Sequence, residues 1–344
     1  MAPTIITDEK FGENAGRTVD KYTLKNDNVQ AEILTYGAII RSLKIKDKNG
    51  VLTDVVLGFD NLDGYIADDC YMGALIGRVC NRTETGAFTL DGKTYSVGKN
   101  EEYNSLHGGF YGFNTKIHDA EIDGEKLILS SYSLDGEEGY PSDLIFSVIY
   151  SLAENGLIIE YFAQANGKTP LNLTNHTYFN LNGGKYDIQD TKVRIFADKI
   201  TPVNQKNSAH GYMSVDGTPF DFRKEKSIKA GIDDEKNSLI KFCGGYDINY
   251  VLKGAGMREA ATAYDERSGI CLSVKTDREG MQFYTGNFIT EKSGKSGRLN
   301  KRRMGFCFET QGFPNALNNI DYPSIILEKD KVYRSRTEYL FSVK

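Results

Sequence analysis

The stretch DLIFSVIYSLAENGLIIEYFAQA, at residues 143–165, constrains the fold more than any other part of this chain. It places the pair Asn155-Gly156 between two runs of β-branched and aromatic residues. That pattern predicts an antiparallel hairpin with a tight turn at positive φ, a conformation that Asn and Gly tolerate. A second stretch, AFTLDGKTYSV at residues 87–97, repeats the pattern with Asp91-Gly92. Two such hairpins favour an antiparallel, all-β architecture.

Further strand signals run along the whole chain. They are short runs rich in β-branched and aromatic residues at 29–45, 54–59, 126–134, 191–197, 269–276 and 332–343. No window keeps a helical apolar period for three turns. Short strands separated by Gly- and Asn-rich turns predict a large antiparallel β-sandwich with few short helices. No repeat or Pro-rich linker divides the 344 residues, so we expect one domain spanning 1–344.

Charge and cysteine placement narrow the function. The formal net charge is −5, and the basic segment GRLNKRR at residues 297–303 is more typical of a solvated loop than of a nucleic-acid surface. The five cysteines are scattered without a CxxC spacing, which disfavours a disulfide framework and a thiolate zinc site. The residues MAPTIITDEKFGEN do not show a basic segment followed by an apolar one, and no run approaches the roughly 18 apolar residues of a membrane span. We expect a cytoplasmic protein, a monomer or weak homodimer, without nucleic-acid or membrane partners.

The chemically suggestive side chains lie in short polar segments between the predicted strands, where a rigid sheet can present them. His107 and His176 are far apart and show no HxH or HExxH pattern, so no metal site is expected. There is no nucleophile elbow and no phosphate-binding Gly-rich loop. The remaining amide, imidazole, guanidinium and carboxylate groups have Tyr and Phe as neighbours. Such a set suits a polyhydroxylated ligand, because polar groups bond its hydroxyls while rings cover its apolar face.

Several segments together resemble the aldose 1-epimerase (galactose mutarotase) family. The resemblance covers nearly the whole chain, from about residue 31 to residue 343. The matching segments occur in the family's order: NSLHGG, GYPSD, PLNLTNHTYFNL, TPFDFR, GYD, QFYTGN and CFETQGFPNALN. The resemblance implies one large β-sandwich with a sugar-binding cleft on a sheet face, which agrees with the hairpin pattern.

Carried over residue by residue, the resemblance makes Glu309 the general base and His176 the general acid. The resemblance also implies a set of residues that hold the sugar hydroxyls and the ring oxygen: Asn81, Arg82, His107, Asp247 and Gln282. It places Tyr178 near them. Interconverting the α and β anomers requires a base for the anomeric hydroxyl and an acid for the ring oxygen. The C1–O5 bond then breaks, the C1–C2 bond rotates and the ring recloses, without cofactor, metal or covalent intermediate.

This chemistry carries an expectation about the charge of His176. The imidazole should be protonated part of the time near neutral pH, as a histidine is without large tuning. A nearby carboxylate, either Asp247 or Glu309, would favour that charged form.

The chain departs from the family pattern at two places. Ile248 stands where the family usually has a His, and the change is expected to remove a hydrogen-bond donor behind the sugar. The segment VNQKNSAHGYMSVDG, at residues 203–217, lacks the family's PTG element and should alter a loop near the cleft rim. Both departures bear on substrate preference and not on the acid or the base.

Three other functions stay open at this point. A hexose-6-phosphate 1-epimerase would need an added cationic pocket for the phosphate. A glycoside hydrolase would use Asp247 and Glu309 as its carboxylate pair. A sugar-binding protein would keep the cleft without turnover. The sequence does not decide between galactose, glucose or another aldose.

Some polar residues also have structural interpretations. Glu309 could be a buried salt-bridge partner, and Asp247 could cap a turn. His118 and His210 are expected to be structural. Arg78 is expected to be a structural ion-pair residue, because the family match points to Arg82 instead.

Overall fold

The computed structural model describes residues 3–344. Its N-terminal elements are β1 Ile5–Asn14, β2 Arg17–Lys25, β3 Val29–Leu34, β4 Ile40–Lys46, β5 Leu52–Asp54 and α1 Leu62–Ile66. The central strands are β6 Leu75–Ile76, β7 Arg82–Glu84, β8 Ala87–Leu90, β9 Lys93–Ser96, β10 Asn104–Leu106, β11 Asp119–Asp123, β12 Lys126–Ser133, β13 Leu144–Ala153, β14 Gly156–Ala165, β15 Thr169–Pro170 and β16 Thr174–Asn175. The C-terminal elements are β17 Lys192–Ile195, β18 Ala197–Thr201, β19 Met213–Ser214, β20 Lys226–Ser227, α2 Ser238–Cys243, β21 Asp247–Leu252, β22 Arg258–Tyr264, β23 Ile270–Thr276, β24 Gly280–Tyr284, β25 Lys292–Ser293, β26 Leu299–Asn300, β27 Cys307–Gln311, β28 Ile326–Leu327 and β29 Val332–Val343.

Three sheets carry most of these strands. The largest has nine strands in the order β11-β12-β13-β14-β29-β23-β22-β17-β20, and a five-stranded sheet has the order β19-β18-β21-β24-β27. The first five strands form a third sheet in chain order. The all-β prediction with few short helices is confirmed. The prediction that residues 1–344 form one domain stays a prediction.

The two predicted hairpins form, but their turns differ. Asp91 and Gly92 have φ values of 49° and 78°, the positive values that their turn type requires. In the longer hairpin Ala153 pairs with Gly156, so the turn consists of residues 154 and 155 and the predicted turn position is wrong by one residue. A Cβ on Gly156 would lie 2.2 Å from the carbonyl oxygen of Tyr339. Gly156 is therefore needed for close approach of β29 and not for positive φ.

The predicted strand at residues 54–59 is wrong. Asp54 ends β5, and Val56 makes only an isolated bridge to Phe179. The backbone N–H of Val55 donates to Leu43, whereas that of Leu57 donates to Tyr178. Because the segment changes partners within three residues, it joins two elements and does not extend either one.

One face of β27 packs against the sandwich core, and its other face is available to form the site. Phe308 belongs to the main hydrophobic core, and Thr310 contacts Thr337 of β29 through their hydroxyls at 2.5 Å. Alternate residues of a strand point to opposite faces. Cys307, Glu309 and Gln311 therefore share the face turned away from the nine-stranded sheet.

Arg78 is structural, but the predicted ion pair is wrong. Its buried guanidinium donates to the carbonyl oxygens of Pro141, Ser142 and Ser133 at 2.8–3.0 Å. It also donates to the hydroxyl of Thr169 at 3.1 Å. No carboxylate within residues 3–344 lies close enough to form a salt bridge with it. Backbone dipoles therefore take the place of a counter-ion, and burial lowers the pKa of Arg78 to about 10.

Replacing Arg78 with Met should lower the free energy of unfolding by about 3 kcal/mol or more, since several buried carbonyl oxygens lose their donor. Urea denaturation measures this loss. Arg17→Met is the matched control, because Arg17 is exposed and pairs only with Asp119 at 3.3 Å; it should cost about 0.5 kcal/mol or less. Equal losses in the two variants would contradict the structural role.

Candidate active site

One cavity of about 440 Å³ brings the predicted site residues together. All eight of them line it: Asn81, Arg82, His107, His176, Tyr178, Asp247, Gln282 and Glu309. Eight further residues that the sequence did not single out complete the wall: Asp69, Cys70, Tyr71, Glu101, Leu106, Asn207, Tyr284 and Phe288.

The sheet with strand order β19-β18-β21-β24-β27 forms the floor of the cavity. Gln282 on β24 lies directly opposite Glu309 on β27, and Asp247 on β21 lies opposite Tyr284. The Gln282 amide donates to Asp247 Oδ1 at 2.6 Å. Glu309 Oε2 and Gln282 Oε1 are buried and have no hydrogen-bond partner within residues 3–344. Buried oxygens of this kind are acceptors for a ligand's hydroxyl groups.

His176 reaches the cavity from the other side. It directly follows β16, where its backbone N–H donates to Ala74 and its carbonyl accepts from Gly73. The Asn175 side chain also donates to the Gly73 carbonyl, at 2.9 Å. This pairing with the segment before β6 directs the imidazole toward β27, with Nε2 at 3.7 Å from Glu309 Oε2. The pair predicted as acid and base is thus in close contact across the cavity.

A backbone contact fixes the tautomer of His107. Asn81 and His107 both have positive φ, at 58° and 55°. In this conformation the backbone N–H of Asn81 donates to His107 Nδ1 at 3.2 Å. A backbone N–H is always a donor, so Nδ1 is bare and a neutral His107 carries its hydrogen on Nε2. His107 can therefore donate one hydrogen bond from Nε2.

Arg82 is held by a carboxylate. Its Nε and Nη2 donate to the two oxygens of Glu101, both at 2.9 Å. Asn207 adds contacts of 3.2 and 3.1 Å to the same nitrogens when its amide oxygen faces the guanidinium. Nη1 has no partner within residues 3–344 and stays available to a ligand. The bidentate pair orients Arg82 before any ligand binds.

Aromatic rings surround the polar groups. The ring centroids of Tyr178 and Tyr284 are 5.9 Å apart, and Phe288 continues this row at 6.4 Å from Tyr284. Tyr71 contacts the imidazole of His107 at 4.7 Å. These rings supply the apolar cover that a sugar ring requires, in a chain without Trp.

Burial sets the electrostatics of the site. It raises the pKa of Glu309 well above its usual range, with a further contribution from the charge of Asp247, while Arg82 acts in the opposite direction. Burial lowers the pKa of His176 to about 4 and that of His107 well below its usual value. The expectation that His176 is partly protonated near neutral pH is therefore wrong for the free site. Loss of solvation outweighs the neighbouring Glu309, because burial also favours the neutral carboxyl.

Three residues of the cavity are close enough together to be considered as ligands of a metal ion. Ligand atoms of His107, His176 and Glu309 all lie within 4.8 Å of one another. A metal needs a bare nitrogen from each imidazole. Because Asn81 already donates to Nδ1 of His107, Nε2 carries the hydrogen and does not fit as a ligand. The proton placement favours hydrogen bonding to a ligand, and the absence of a metal stays a prediction.

The missed residues divide into two kinds. Tyr284 stands in the same QFYTGN segment as Gln282, two residues further on, so strand alternation could have identified it. Glu101, Asn207 and Tyr71 come from loops, and no local pattern identifies them. Asp69 lies at the rim and pairs with Lys292 at 2.6 Å.

The two departures from the family pattern have different outcomes. Ile248 is buried in the main core, on the face of β21 opposite to Asp247. The expectation that this change removes a donor behind the sugar is therefore wrong. Asn207, in contrast, lies in the unusual segment and lines the cavity, which confirms that this segment reaches the cleft.

The other two histidines lie outside the cavity. His118 is buried, with Nδ1 at 3.1 Å from the carbonyl oxygen of Thr35. Burial lowers its pKa to about 4. His210 is exposed. Neither has a place in the site, in agreement with their predicted structural roles.

Comparisons with known proteins agree with this geometry. The family model described as aldose 1-epimerase matches residues 20–340. Galactose mutarotase of Rattus norvegicus is 41% identical over 344 residues, covering 98% of this chain and 99% of the rat protein. Aldose 1-epimerase of Escherichia coli K12 is 32% identical and covers 93% of this chain and 94% of its own length.

Solved structures give the same result. Galactose 1-epimerase from Lactobacillus acidophilus superposes with a TM-score of 0.87 at 26% identity, covering 99% of each chain. An aldose epimerase homologue from C. elegans has a TM-score of 0.86 at 29% identity, with 92% of this chain and 97% of that chain covered. The residues matched by the family model, 20–340, include every residue that lines the cavity. The chain therefore belongs to the aldose 1-epimerase family.

Proposed function

We propose that this protein is an aldose 1-epimerase that interconverts the α and β anomers of free aldohexoses such as galactose and glucose. One observation carries the proposal: the buried Glu309 carboxylate and His176 Nε2 lie 3.7 Å apart in a cavity lined by polar groups and aromatic rings. A base and an acid in this arrangement can move two protons on one sugar ring. The family membership supports the same activity.

Glu309 and His176 act on the two oxygens of the anomeric centre. In the reactive complex the Glu309 carboxylate takes the proton of the anomeric hydroxyl, and His176 gives its Nε2 proton to the ring oxygen. The C1–O5 bond breaks to the open aldehyde, the C1–C2 bond rotates, and the reverse transfers close the ring on the other face. Arg82, His107 through its Nε2–H, and Gln282 hold the hydroxyl groups, as do Asn81 and Asp247. Tyr178 lies beside the ring.

Burial has a direct consequence for this reaction. The reactive carboxylate–imidazolium pair forms from the neutral pair of the free site when one proton moves from Glu309 to His176, and after ring opening both groups are neutral again. A buried site disfavours the charged forms, so the free energy of the protein groups falls as the ring opens. The open aldehyde has a higher free energy than the closed ring. The fall in the free energy of the protein groups offsets part of that rise. The raised pKa of Glu309 and the lowered pKa of His176 therefore suit a short-lived open intermediate.

Arg82→Ala should raise KM by roughly 10–100-fold with a smaller change in kcat, since one charge-assisted hydrogen bond to the sugar is lost in ground and transition states alike. Initial rates across a range of galactose concentrations measure this. Arg17→Ala is the control for a simple loss of charge, because Arg17 is exposed and does not line the cavity. A fall in kcat alone would contradict a binding role for Arg82.

The other functions are less well supported. A hexose 6-phosphate would need a free cationic pocket, yet Arg82 is the one Lys or Arg lining the cavity within residues 3–344, and Glu101 already neutralises it. A glycoside hydrolase would need Asp247 as a second catalytic carboxyl, whereas Gln282 donates to its Oδ1 and the partner in contact with Glu309 is His176. A binding protein has no use for an acid and a base in contact.

Polarimetry on freshly dissolved α-D-galactose and α-D-glucose tests the proposal. The protein should speed the approach to anomeric equilibrium well beyond the buffer rate. No acceleration with either sugar would refute the function, and competition by glucose 6-phosphate would favour the phosphate-specific alternative.

Location and assembly remain proposals. No helix within residues 3–344 is long and apolar enough to cross a membrane. We propose a cytoplasmic monomer or weak homodimer that needs no cofactor and binds no nucleic acid. Sedimentation velocity measures the oligomeric state.

A further inference from the structure

The imidazole of His176 is surrounded by four rings. Ring centroids lie at 4.9 Å for Tyr178, 5.3 Å for His107, 6.0 Å for Tyr71 and 6.2 Å for Tyr284. These contacts hold the plane of the imidazole. They do not distinguish its nitrogens from its carbons, because a half-turn about χ2 leaves the plane unchanged while exchanging Nδ1 with Cδ2 and Nε2 with Cε1.

The half-turn would disable the site. After it, a carbon would occupy the place of Nε2, 3.7 Å from Glu309 Oε2, and no proton could be delivered from there. A polar partner must therefore select one of the two ring orientations. The partner has to lie on the Nδ1 side, since Nε2 faces the cavity.

Cys307 is that partner. Its Sγ lies 3.6 Å from His176 Nδ1, within hydrogen-bonding distance for sulfur. No other side chain described in the structure makes a hydrogen bond to this nitrogen. Cys307 precedes Glu309 by two residues on β27, so strand alternation brings both side chains to the same face. Burial raises the pKa of the thiol well above its usual value, and the sulfur keeps its hydrogen.

We propose that Cys307 is a positioning residue for the acid of this site: its thiol bonds Nδ1 of His176 and thereby keeps Nε2 directed at the sugar. The inference rests on the proposed function for the role of His176, whereas the contact itself does not depend on it.

A thiol suits both protonation states of the imidazole. It can accept from Nδ1–H in the imidazolium and in the neutral ring that remains once Nε2 has given up its proton, and it can donate to a bare Nδ1 in the other neutral tautomer. Sulfur is a weak acceptor, so it stabilises the imidazolium less than the carboxylate or carbonyl partner that many functional histidines have. The Nε2 proton is then released more readily to the weakly basic ring oxygen. Cys307 thus orients the acid without weakening it.

Two substitutions and a matched control test this role. Cys307→Ala removes the partner, and Cys307→Ser keeps a group that donates and accepts. Cys243→Ala deletes the same sulfur at another buried position, outside the cavity lining, and controls for loss of packing. Each variant is assayed for kcat and KM by polarimetry across pH. The ring nitrogens are followed by ¹⁵N NMR, in which only four histidines contribute.

Cys307→Ala should lower kcat roughly tenfold with KM nearly unchanged, the size expected for one net hydrogen bond. Cys307→Ser should restore most of that loss, and Cys243→Ala should leave kcat unchanged. In the NMR spectra the Nδ1 resonance of His176 should shift in both Cys307 variants and stay in place in Cys243→Ala.

Two outcomes would overturn the proposal. One is wild-type kcat together with an unshifted Nδ1 resonance in Cys307→Ala. If that variant does not fold, an unshifted resonance in Cys307→Ser has the same meaning, because oxygen in place of sulfur must change a direct partner. If the wild type shows no mutarotation, the proposed function fails, yet the NMR arm still decides whether Cys307 positions His176.

Discussion

Replacing Glu309 with Gln should lower kcat for mutarotation by about 10²–10⁴-fold, with KM changed only a few-fold. Gln keeps the shape and the hydrogen-bonding oxygen but cannot take the proton of the anomeric hydroxyl. Rapid polarimetry or coupled oxidation of one anomer measures the loss. The pH profile adds a second signature. The reactive carboxylate–imidazolium pair and the neutral pair favoured by burial hold the same number of protons. The wild-type rate should therefore fall on the acid side near pH 4, at the lowered pKa of His176, and fall again on the alkaline side as pH rises through the raised pKa of Glu309.

A stability measurement on Glu309→Gln distinguishes loss of the base from loss of the fold. A carboxyl whose folded pKa is raised contributes stability that is fully present below its unfolded pKa of about 4.5 and is lost as pH rises through the folded value. At pH 8 Glu309 ionises freely in the unfolded chain while burial opposes its ionisation in the native state, so the native state is less stable than at acid pH. Glu309→Gln should be at least as stable as the wild type there, by thermal or urea denaturation. An inactive variant that is also markedly less stable would not support the assignment.

Replacing His176 with Asn should also lower kcat by about 10²–10⁴-fold, because the ring oxygen then has no proton donor. Asn keeps a polar group near the position of Nδ1 but cannot reach that of Nε2. The double variant with Glu309→Gln should lose little more than either single variant, since the two groups act in one concerted exchange. Polarimetry of all three variants measures the coupling.

His118→Asn is the matched control for this result. Its imidazole is buried, with a pKa lowered to about 4 as for His176, but it lies outside the cavity. The control should lose stability and keep kcat. If both His→Asn variants lost activity equally, disruption of the fold would explain the data better than loss of the acid. Fully additive losses in the double variant would contradict a concerted exchange.

Local sequence patterns predicted much of the fold because strands and tight turns depend on neighbouring residues. The run ending at Val343 forms β29 over its whole predicted length, and the turn at Asp91-Gly92 has the expected φ values. The failures involve distant partners. Gly156 is required by the approach of Tyr339, and the 54–59 segment takes partners from two different elements. Neither can be inferred from nearby residues.

The sequence by itself determined the all-β class, the family resemblance and the identity of the polar groups, because these follow from residue types and their order. Tertiary structure decided how those groups behave. Asn207 and Glu101 reach Arg82 from separate loops, and backbone geometry at Asn81 sets the tautomer of His107. Burial reversed the expected charge of His176, because the free energy of a charge depends on the solvent and dipoles that the folded chain leaves around it.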